Sequence, residues 1–168
     1  NRKRSFDNRS RVMNYQRDKL KKMLLECKKH LDRLKKAHQK IKAHFPLALD
    51  TYKELSDDTV AYLDQFLFRF SKLQDTLSQK VFPLLLINLG EEIKRMPFID
   101  RLNRLEELGF LKADEWLELR EIRNLLTHEY PLEEQDIIED LNEIVNRYVK
   151  LEDIFNAIYR FCEKKLSG

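Results

Sequence analysis

The 168-residue chain carries 32 lysines and arginines against 29 aspartates and glutamates, with only three glycines and four prolines. This composition is typical of a helical protein with few turns, and one domain with a real core is expected at this length. The most apolar run, residues 81–90, is too short to cross a bilayer, and the lack of a Gly-rich phosphate loop excludes a P-loop or dinucleotide-binding fold.

Positive charge is concentrated at the N-terminal end. Residues 1–44 contain 16 lysines and arginines against four acidic residues, a balance of +12, whereas the remainder contains 16 against 25, a balance of −9. We interpret residues 1–12 as an N-terminal extension and residues 13–168 as a single domain. No secretory leader is evident, and Cys27 and Cys162 lack zinc or redox spacing, so we expect a cytoplasmic protein with two buried thiols and neither metal nor cofactor.

A first helix is predicted from about Tyr15 to His44. Its seam alternates at four and three residues through Leu20, Leu24, Cys27, Leu31, Leu34, His38, Ile41 and Phe45. We expect His38 to be a hydrogen-bonded core residue rather than a ligand. The lysines and arginines on the other faces favour two interpretations equally: attraction of an RNA backbone, or a solvated surface that complements the acidic remainder.

A second main helix is predicted from about Asp57 to Gln79, after Ser56, whose hydroxyl suits an N-cap. Its buried stripe consists of Leu63, Phe66, Leu67, Phe70, Leu73 and Leu77. The polar residues that lie off this stripe are Asp64, Arg69 and Asp75. The apolar run 81–90 then predicts a buried helix that ends at Met96-Pro97, and Pro83 either lies in its first turn or kinks it.

A short helix from Phe98 to Leu108 follows, and Gly109 suits its C-cap. Asp114 is expected to cap the next helix, in which Trp116 packs in the core. That next helix contains the candidate site.

Apolar residues recur at helical spacing as far as Leu126, and Pro131 disfavours helix before it, so the helix should end near His128. Arg123 falls on the border of the apolar arc, with His128 about 140° further round the helix. An arginine fork matches phosphoryl oxygens, and a histidine exchanges protons near neutral pH, so the two residues suit phosphate chemistry. The alternative is that Arg123 pairs with a nearby acid and His128 only caps the helix.

The last helix is predicted from about Leu132 to Lys165, and the acidic stretch 133–136 suits its N-terminus. Its seam repeats the alternation of the first helix through Ile137, Leu141, Ile144, Tyr148, Leu151, Phe155, Ile158 and Cys162. The first and last helices have seams of the same period and carry opposite net charges, which predicts that they are neighbours. The predicted fold is therefore an all-α, up-and-down bundle of four or five helices.

The spacing of Arg123, Asn124, His128 and Tyr130 resembles the R-N-x(3)-H-x-Y form of the R-x(4–6)-H signature of HEPN ribonucleases. The likeness is to HepT-type toxins, whose partners are minimal nucleotidyltransferase (MntA-type) antitoxins, and it covers most of residues 50–165. In a HEPN-like bundle the second main helix packs close to the signature helix. One of the polar residues outside the buried stripe of that second main helix would then orient Arg123.

The resemblance implies a homodimer that cleaves RNA without metal at a cleft shared by two protomers. Such cleavage needs a base for the 2′-hydroxyl proton, an acid for the leaving 5′-oxygen and a cation for the charge on phosphorus. A symmetric dimer would bring together two copies of Arg123 and His128. His128 is then the expected acid/base and Arg123 the phosphate clamp, whereas Asn124 would orient the histidine or contact RNA. The product would carry a 2′,3′-cyclic phosphate.

Tyr130 is, by the same resemblance, the residue to which the MntA-type partner transfers AMP and so silences the toxin. The added charge and bulk would oppose entry of an RNA phosphate. The alternative for Tyr130 is a ring packed on the helix end. The alternative for the whole protein is a non-catalytic HEPN subunit that binds a nucleotide or a nucleotidyltransferase partner.

Overall fold

The computed structural model describes residues 2–128 and 134–166, and the side chains of these residues except those of Arg2, Thr127 and His128. Within these ranges the α-helices are α1 (Arg2–Ile41), α2 (Leu49–Lys53), α3 (Asp57–Thr76), α4 (Phe82–Asn88), α5 (Phe98–Glu107), α6 (Ala113–His128) and α7 (Glu134–Lys165). The described residues contain no strand, and the predicted all-α fold is confirmed. None of the described helices is both long and apolar enough to span a bilayer.

Helix α1 packs antiparallel against α3 and α4, which follow each other as one continuous helical unit. The His38 ring lies 6.2 Å from Phe66 near one end of the pair. Further along, the Lys80 ammonium lies 4.0 Å from the carboxylate of Glu26. Near the other end Asn88 donates to the backbone oxygen of Gln16. This packing buries the predicted seam of α1, whose leucines and isoleucine are almost wholly excluded from solvent.

The other two long rods, α6 and α7, complete the up-and-down arrangement. Helix α6 runs against the α3–α4 unit, with Trp116 edge-on to Phe82 at 4.7 Å between ring centroids. Helix α7 returns antiparallel to α6 and also lies beside α1, where Lys35 pairs with Glu152 at 3.4 Å. The first and last helices are therefore neighbours, as their seams predict. The main partner of α1 is nevertheless α3.

The half-buried His38 shares a hydrogen bond with the buried Tyr148, and the two cysteines of α1 and α7 are buried by packing. His38 Nδ1 and the Tyr148 hydroxyl lie 3.2 Å apart and share a hydrogen bond, as a core histidine requires. Cys27 and Cys162 are buried and unbonded to each other, as predicted. Burial raises the pKa of the Cys27 thiol to about 12 and that of Cys162 to about 11, so neither supplies a thiolate near neutral pH.

Three predicted helix ends are wrong. Helix α1 begins at Arg2 rather than near Tyr15, because no proline or glycine in residues 2–14 interrupts propagation of the helix. Helix α4 ends at Asn88 rather than at Met96-Pro97, because Gly90 adopts a φ of +84° that reverses the chain. Helix α6 begins at Ala113, which places Asp114 inside the first turn rather than at the cap.

A π-helical turn, Leu77–Val81, joins α3 to α4. Pro83 has no N–H to donate to the carbonyl of Gln79, and its ring would collide with that carbonyl in a regular helix. The backbone widens instead, and the Phe82 N–H donates to the carbonyl of Leu77, five residues back. The chain thus stays helical through Pro83. Two residues of the widened turn, Ser78 and Gln79, line the cleft described next.

Candidate functional site

Arg123 is held in an ion pair that joins α6 to α3. Its Nη2 lies 2.8 Å from Oδ2 of Asp75, and the side chains of Arg123 and Asp75 are 19% and 35% exposed. Its Nη1 donates to Oδ1 of Asn124 at 3.0 Å. Two acceptors on different helices therefore fix the plane of the guanidinium. The predicted position of Arg123, at the border of the buried face, is confirmed.

Among the three polar residues of α3 named from the sequence, Asp75 is the one that contacts Arg123. The first part of the alternative interpretation, in which Arg123 pairs with a nearby acid, therefore agrees with the structure. Asp64 lines a different cleft, between α3 and the start of α7. Arg69 donates to Nδ1 of His30 on α1 at 3.0 Å. Asn124 accepts a hydrogen bond from Arg123, a contact that the sequence analysis did not predict. The predicted contact of Asn124 with His128 or RNA stays a prediction, since the side chain of His128 lies outside the described residues.

Arg123 and Asp75 form part of the wall of an open cleft of about 500 Å³ between α3, the π-helical turn, the start of α4, α5 and α6. The lining residues are Gln74, Asp75, Ser78, Gln79, Pro83, Phe98, Arg101, Trp116, Arg120, Arg123 and Asn124. Among them three arginines stand against one aspartate. The described wall of the cleft is therefore cationic and suits an anionic ligand.

The two further arginines are held in different ways. Arg101 donates from Nε to the carbonyl of Met96 at 3.0 Å and from Nη2 to that of Ile93 at 3.1 Å, which fastens the loop between α4 and α5. The Arg120 guanidinium lies over the ring of Phe98, 5.3 Å from its centroid. This cation–π contact leaves a flat, charged surface on one side of the cleft.

The same wall contains buried polar atoms that no described residue satisfies. Gln74 is 2% exposed, yet neither its Nε2 nor its Oε1 has a hydrogen-bond partner within the described part of the chain. Nε1 of the fully buried Trp116 is likewise without a partner there. A buried polar group in this state costs roughly 1–3 kcal/mol, so a native core tolerates few of them.

Helix α6, which carries Arg123, is described as far as His128, five residues further along the chain. The predicted end of this helix borders residues outside the described ranges and stays a prediction. Helical geometry sets this separation at about 7.5 Å along the axis. The side chain of His128 lies outside the described residues, as does Tyr130 as a whole. The backbone therefore brings the end of α6 close to the cleft.

Sequence reasoning missed most of the cleft. Gln74 stands four residues after Phe70 and three before Leu77, which is the spacing of a core position, so its burial was visible in the pattern. Arg101 comes from α5, whereas Arg120 lies on α6, three residues before Arg123. Their convergence depends on how α5 packs on α6, for which the sequence carried no signal.

No protein-family model matches this chain, and no curated protein or solved structure resembles it significantly. The likeness to HEPN ribonucleases therefore depends on the four spaced residues and the helical surroundings described above.

Proposed function

We propose that this protein is a metal-independent endoribonuclease, the toxin of a toxin–antitoxin pair of the HepT–MntA kind, acting in the cytoplasm. The observation that carries the proposal is the fixed guanidinium of Arg123. Asp75 and Asn124 hold it on the wall of a cationic cleft, on the helix that ends at His128. A preorganised cation is worth most where negative charge grows in the transition state.

The proposed reaction is an attack of the ribose 2′-hydroxyl oxygen on the adjacent phosphorus. One histidine takes the hydroxyl proton as the new P–O2′ bond forms, and the P–O5′ bond breaks as a second acid protonates the departing oxygen. Arg123 stabilises the charge on the phosphoryl oxygens. The products are a 2′,3′-cyclic phosphate and a 5′-hydroxyl, and no external oxidant or metal is needed for the balance.

The two proton transfers require a homodimer in this proposal. His30 is hydrogen-bonded to Arg69, and His38 is hydrogen-bonded to Tyr148. None of the histidines whose side chains are described lines the cleft. A two-fold axis near the end of α6 would supply a second His128 and a second Arg123 to one RNA strand.

Control by an antitoxin at Tyr130 is the part of the proposal that the resemblance to HepT-type toxins implies. In the proposal, a minimal nucleotidyltransferase transfers AMP to the Tyr130 hydroxyl. The added phosphodiester would repel the RNA phosphate. Intact mass measurement after incubation with a cognate partner and ATP tests this step, because an unmodified Tyr130 would contradict it.

A second candidate function is a nucleotide-binding subunit without catalytic activity. The cleft of about 500 Å³ with three arginines on its wall favours this candidate, since it has the size and charge to hold a mononucleotide. Stable nucleotide binding with no RNA turnover by the unmodified protein would favour it over the nuclease.

The test of the proposed nuclease is RNA cleavage in excess chelator. We expect His128→Ala and Arg123→Ala each to lower the rate by roughly 10²–10³-fold, the usual cost of losing an acid/base or a preorganised charge. His44→Ala and Arg147→Ala are matched controls, because His44 is exposed and Arg147 pairs with Glu118 and Glu143 on the outer face of the bundle. Full activity in either site variant contradicts the assignment.

A further inference from the structure

Phe68 is the most exposed aromatic side chain of α3, with 52% of its surface open to solvent. Two cations lie against its ring. The Arg69 guanidinium is 5.3 Å and the Lys72 ammonium 5.6 Å from the ring centroid. Arg69 is also hydrogen-bonded to His30, whereas Lys72 is exposed. A single exposed apolar residue is common on protein surfaces, so the ring gains significance only from its position.

Phe68 lies on the same face of α3 as Asp75, the partner of Arg123. The two residues of α3 are seven positions apart, which separates them by about 10.5 Å along the helix axis and about 20° around it. The charge of Asp75 is balanced by Arg123, and Asp64, one turn before Phe68, lines another cleft. The stretch between Phe68 and the ion pair is therefore cationic through Lys72.

The direction from the ion pair to Phe68 follows from the antiparallel run of α3 and α6. Asp75 of α3 pairs with Arg123 of α6. Further along, Leu67 of α3 and Leu126 of α6 line one cleft. Earlier residues of α3 therefore lie opposite later residues of α6. Phe68 thus lies on the side of the ion pair towards which the last described turn of α6 runs.

A second pair of a cation and an aromatic ring lies on the opposite side of Arg123. Arg120, one turn earlier on α6, places its guanidinium 5.3 Å from the centroid of the Phe98 ring. Unpaired RNA bases stack on rings and guanidinium planes of this kind. The fixed guanidinium of Arg123 therefore has a stacking surface on each side of it. This order suits one strand whose phosphate lies at Arg123 and whose bases lie to either side.

We propose that the surface formed by Phe68, Arg69 and Lys72 binds the RNA strand next to the phosphate held at Arg123. The Phe68 ring stacks on an unpaired base, Arg69 supports the ring, and Lys72 contacts a neighbouring phosphate. Stacking of this kind tolerates any base, because every base has a π-face. The inference rests on the proposed nuclease function and names its substrate class, a single strand rather than a duplex.

Binding of a labelled 2′-O-methyl RNA strand, measured by fluorescence anisotropy, tests the inference without cleavage, because the methyl group blocks the attacking hydroxyl. We expect the single strand to bind more tightly than the same strand in a duplex. Phe68→Leu keeps an apolar side chain but removes the π-face, so it should weaken single-strand binding about tenfold. Phe68→Tyr, which keeps the π-face, should retain the affinity.

Tyr62→Leu is the matched control for the aromatic ring. Tyr62 is a second exposed aromatic residue of α3, and the Lys40 ammonium lies 5.7 Å from its ring centroid. Lys40 belongs to α1, so this ring lies on the side of α3 that meets α1. Tyr62→Leu should therefore keep the affinity of the unmodified protein.

The salt dependence of binding separates the phosphate contact from stacking. Lys72→Gln should lower the slope of log K against log salt concentration by about 0.7, the value for one phosphate contact on a single strand. Phe68→Leu should leave this slope unchanged, because stacking releases no counterion. Lys40→Gln is the control for loss of an exposed lysine and should also leave it unchanged. An unchanged slope in Lys72→Gln would overturn the assignment of Lys72.

Undiminished binding by Phe68→Leu, or an equal loss in Tyr62→Leu, would overturn the inference. A shift of Phe68→Leu to a smaller oligomer in analytical ultracentrifugation would overturn it too, because Phe68 would then be a contact between protein chains. Cleavage of unmethylated RNA separates these failures from failure of the nuclease. Equal cleavage rates for Phe68→Leu and the unmodified protein at low RNA concentration overturn the stacking surface alone. Binding that depends on Phe68, without any cleavage, supports the stacking surface and contradicts the nuclease.

Discussion

Two of the clefts in this bundle have nearly equal volumes, but they differ in whether their polar side chains are hydrogen-bonded. One, of about 530 Å³, is lined by His38, Pro46 and Asn142 where α1 meets α7; the other, of about 500 Å³, is lined by Arg123 and Gln74. In the first, Asn142 accepts from the backbone N–H of the buried Leu47 at 2.7 Å and donates to its carbonyl at 2.9 Å.

His38 in the first cleft likewise finds a partner in Tyr148. In the second cleft the amide of Gln74 and the indole N–H of Trp116 find none among the described residues. Volume therefore does not distinguish the two clefts, whereas the hydrogen bonding of their polar side chains does. An unsatisfied buried polar group lowers the free energy of unfolding, so the two clefts should respond differently to substitution.

Of the predictions that test this comparison, the largest effect on the proposed ribonuclease activity is expected at Asp75, which holds Arg123. Asp75→Asn keeps the shape but removes the charge that holds Arg123, and displacement of the guanidinium by about 1 Å can cost about 10²-fold in rate. The measurement is RNA cleavage under single-turnover conditions. Asp64→Asn, on the same helix but at another cleft, should leave the rate within twofold, by the same reasoning. Equal losses in both variants would mean that general damage to α3, not loss of positioning, explains the effect.

The next effect is expected on stability at the satisfied cleft. Asn142→Ala leaves the N–H and carbonyl of the buried Leu47 without their partner, at a cost of about 2 kcal/mol in the free energy of unfolding. Urea denaturation measures it. Asn146→Ala removes an exposed amide from the same cleft, so its midpoint should barely move. Equal denaturation midpoints for Asn142→Ala and Asn146→Ala would show that the hydrogen bonds of Asn142 do not stabilise the fold.

Gln74→Met should raise the free energy of unfolding, whereas Asn142→Ala should lower it. It replaces an unpartnered buried amide by an apolar side chain of similar length, so we expect unfolding to cost up to about 1 kcal/mol more than in the unmodified protein. The same denaturation series measures it in the absence of nucleotide. A loss of stability as large as that of Asn142→Ala would show that the Gln74 amide is already satisfied.

The smallest effect concerns pH. Burial, followed by Lys42, lowers the pKa of His38 from its ordinary 6.5, against a smaller raising effect of Glu152. The unfolded chain therefore binds the proton more readily than the folded one, and the free energy of unfolding falls as the pH decreases from 7 through 6.5. His38→Gln should flatten this fall, whereas His44→Gln at the exposed turn should not. If the free energy of unfolding of His38→Gln falls with decreasing pH as steeply as that of the unmodified protein, His38 is not the source of this pH dependence.

The fold was predictable because each long helix carries one continuous apolar seam. The alternation from Leu20 to Ile41 and from Leu141 to Cys162 identified the buried faces of α1 and α7. Helix ends were harder, since the end of α4 depends on the positive φ of Gly90 and the start of α1 on the absence of any stop signal.

The candidate site was predictable only in part. Arg123 was identified from its position on the helix and its resemblance to a signature. Its partner, Asp75, lies 48 residues earlier in the chain, so the choice between it and Asp64 required the packing of α3 on α6. The cleft itself is lined by residues of five elements, which no local pattern encodes.

The most direct test of the account is the chemistry of the RNA ends that the protein leaves in excess chelator. Mass spectrometry of a cleaved oligonucleotide should find a 2′,3′-cyclic phosphate on one fragment and a 5′-hydroxyl on the other. The His128→Ala sample should contain neither. Cleavage that requires added metal and leaves 3′-hydroxyl ends would contradict a mechanism in which arginine and histidine alone break the phosphodiester.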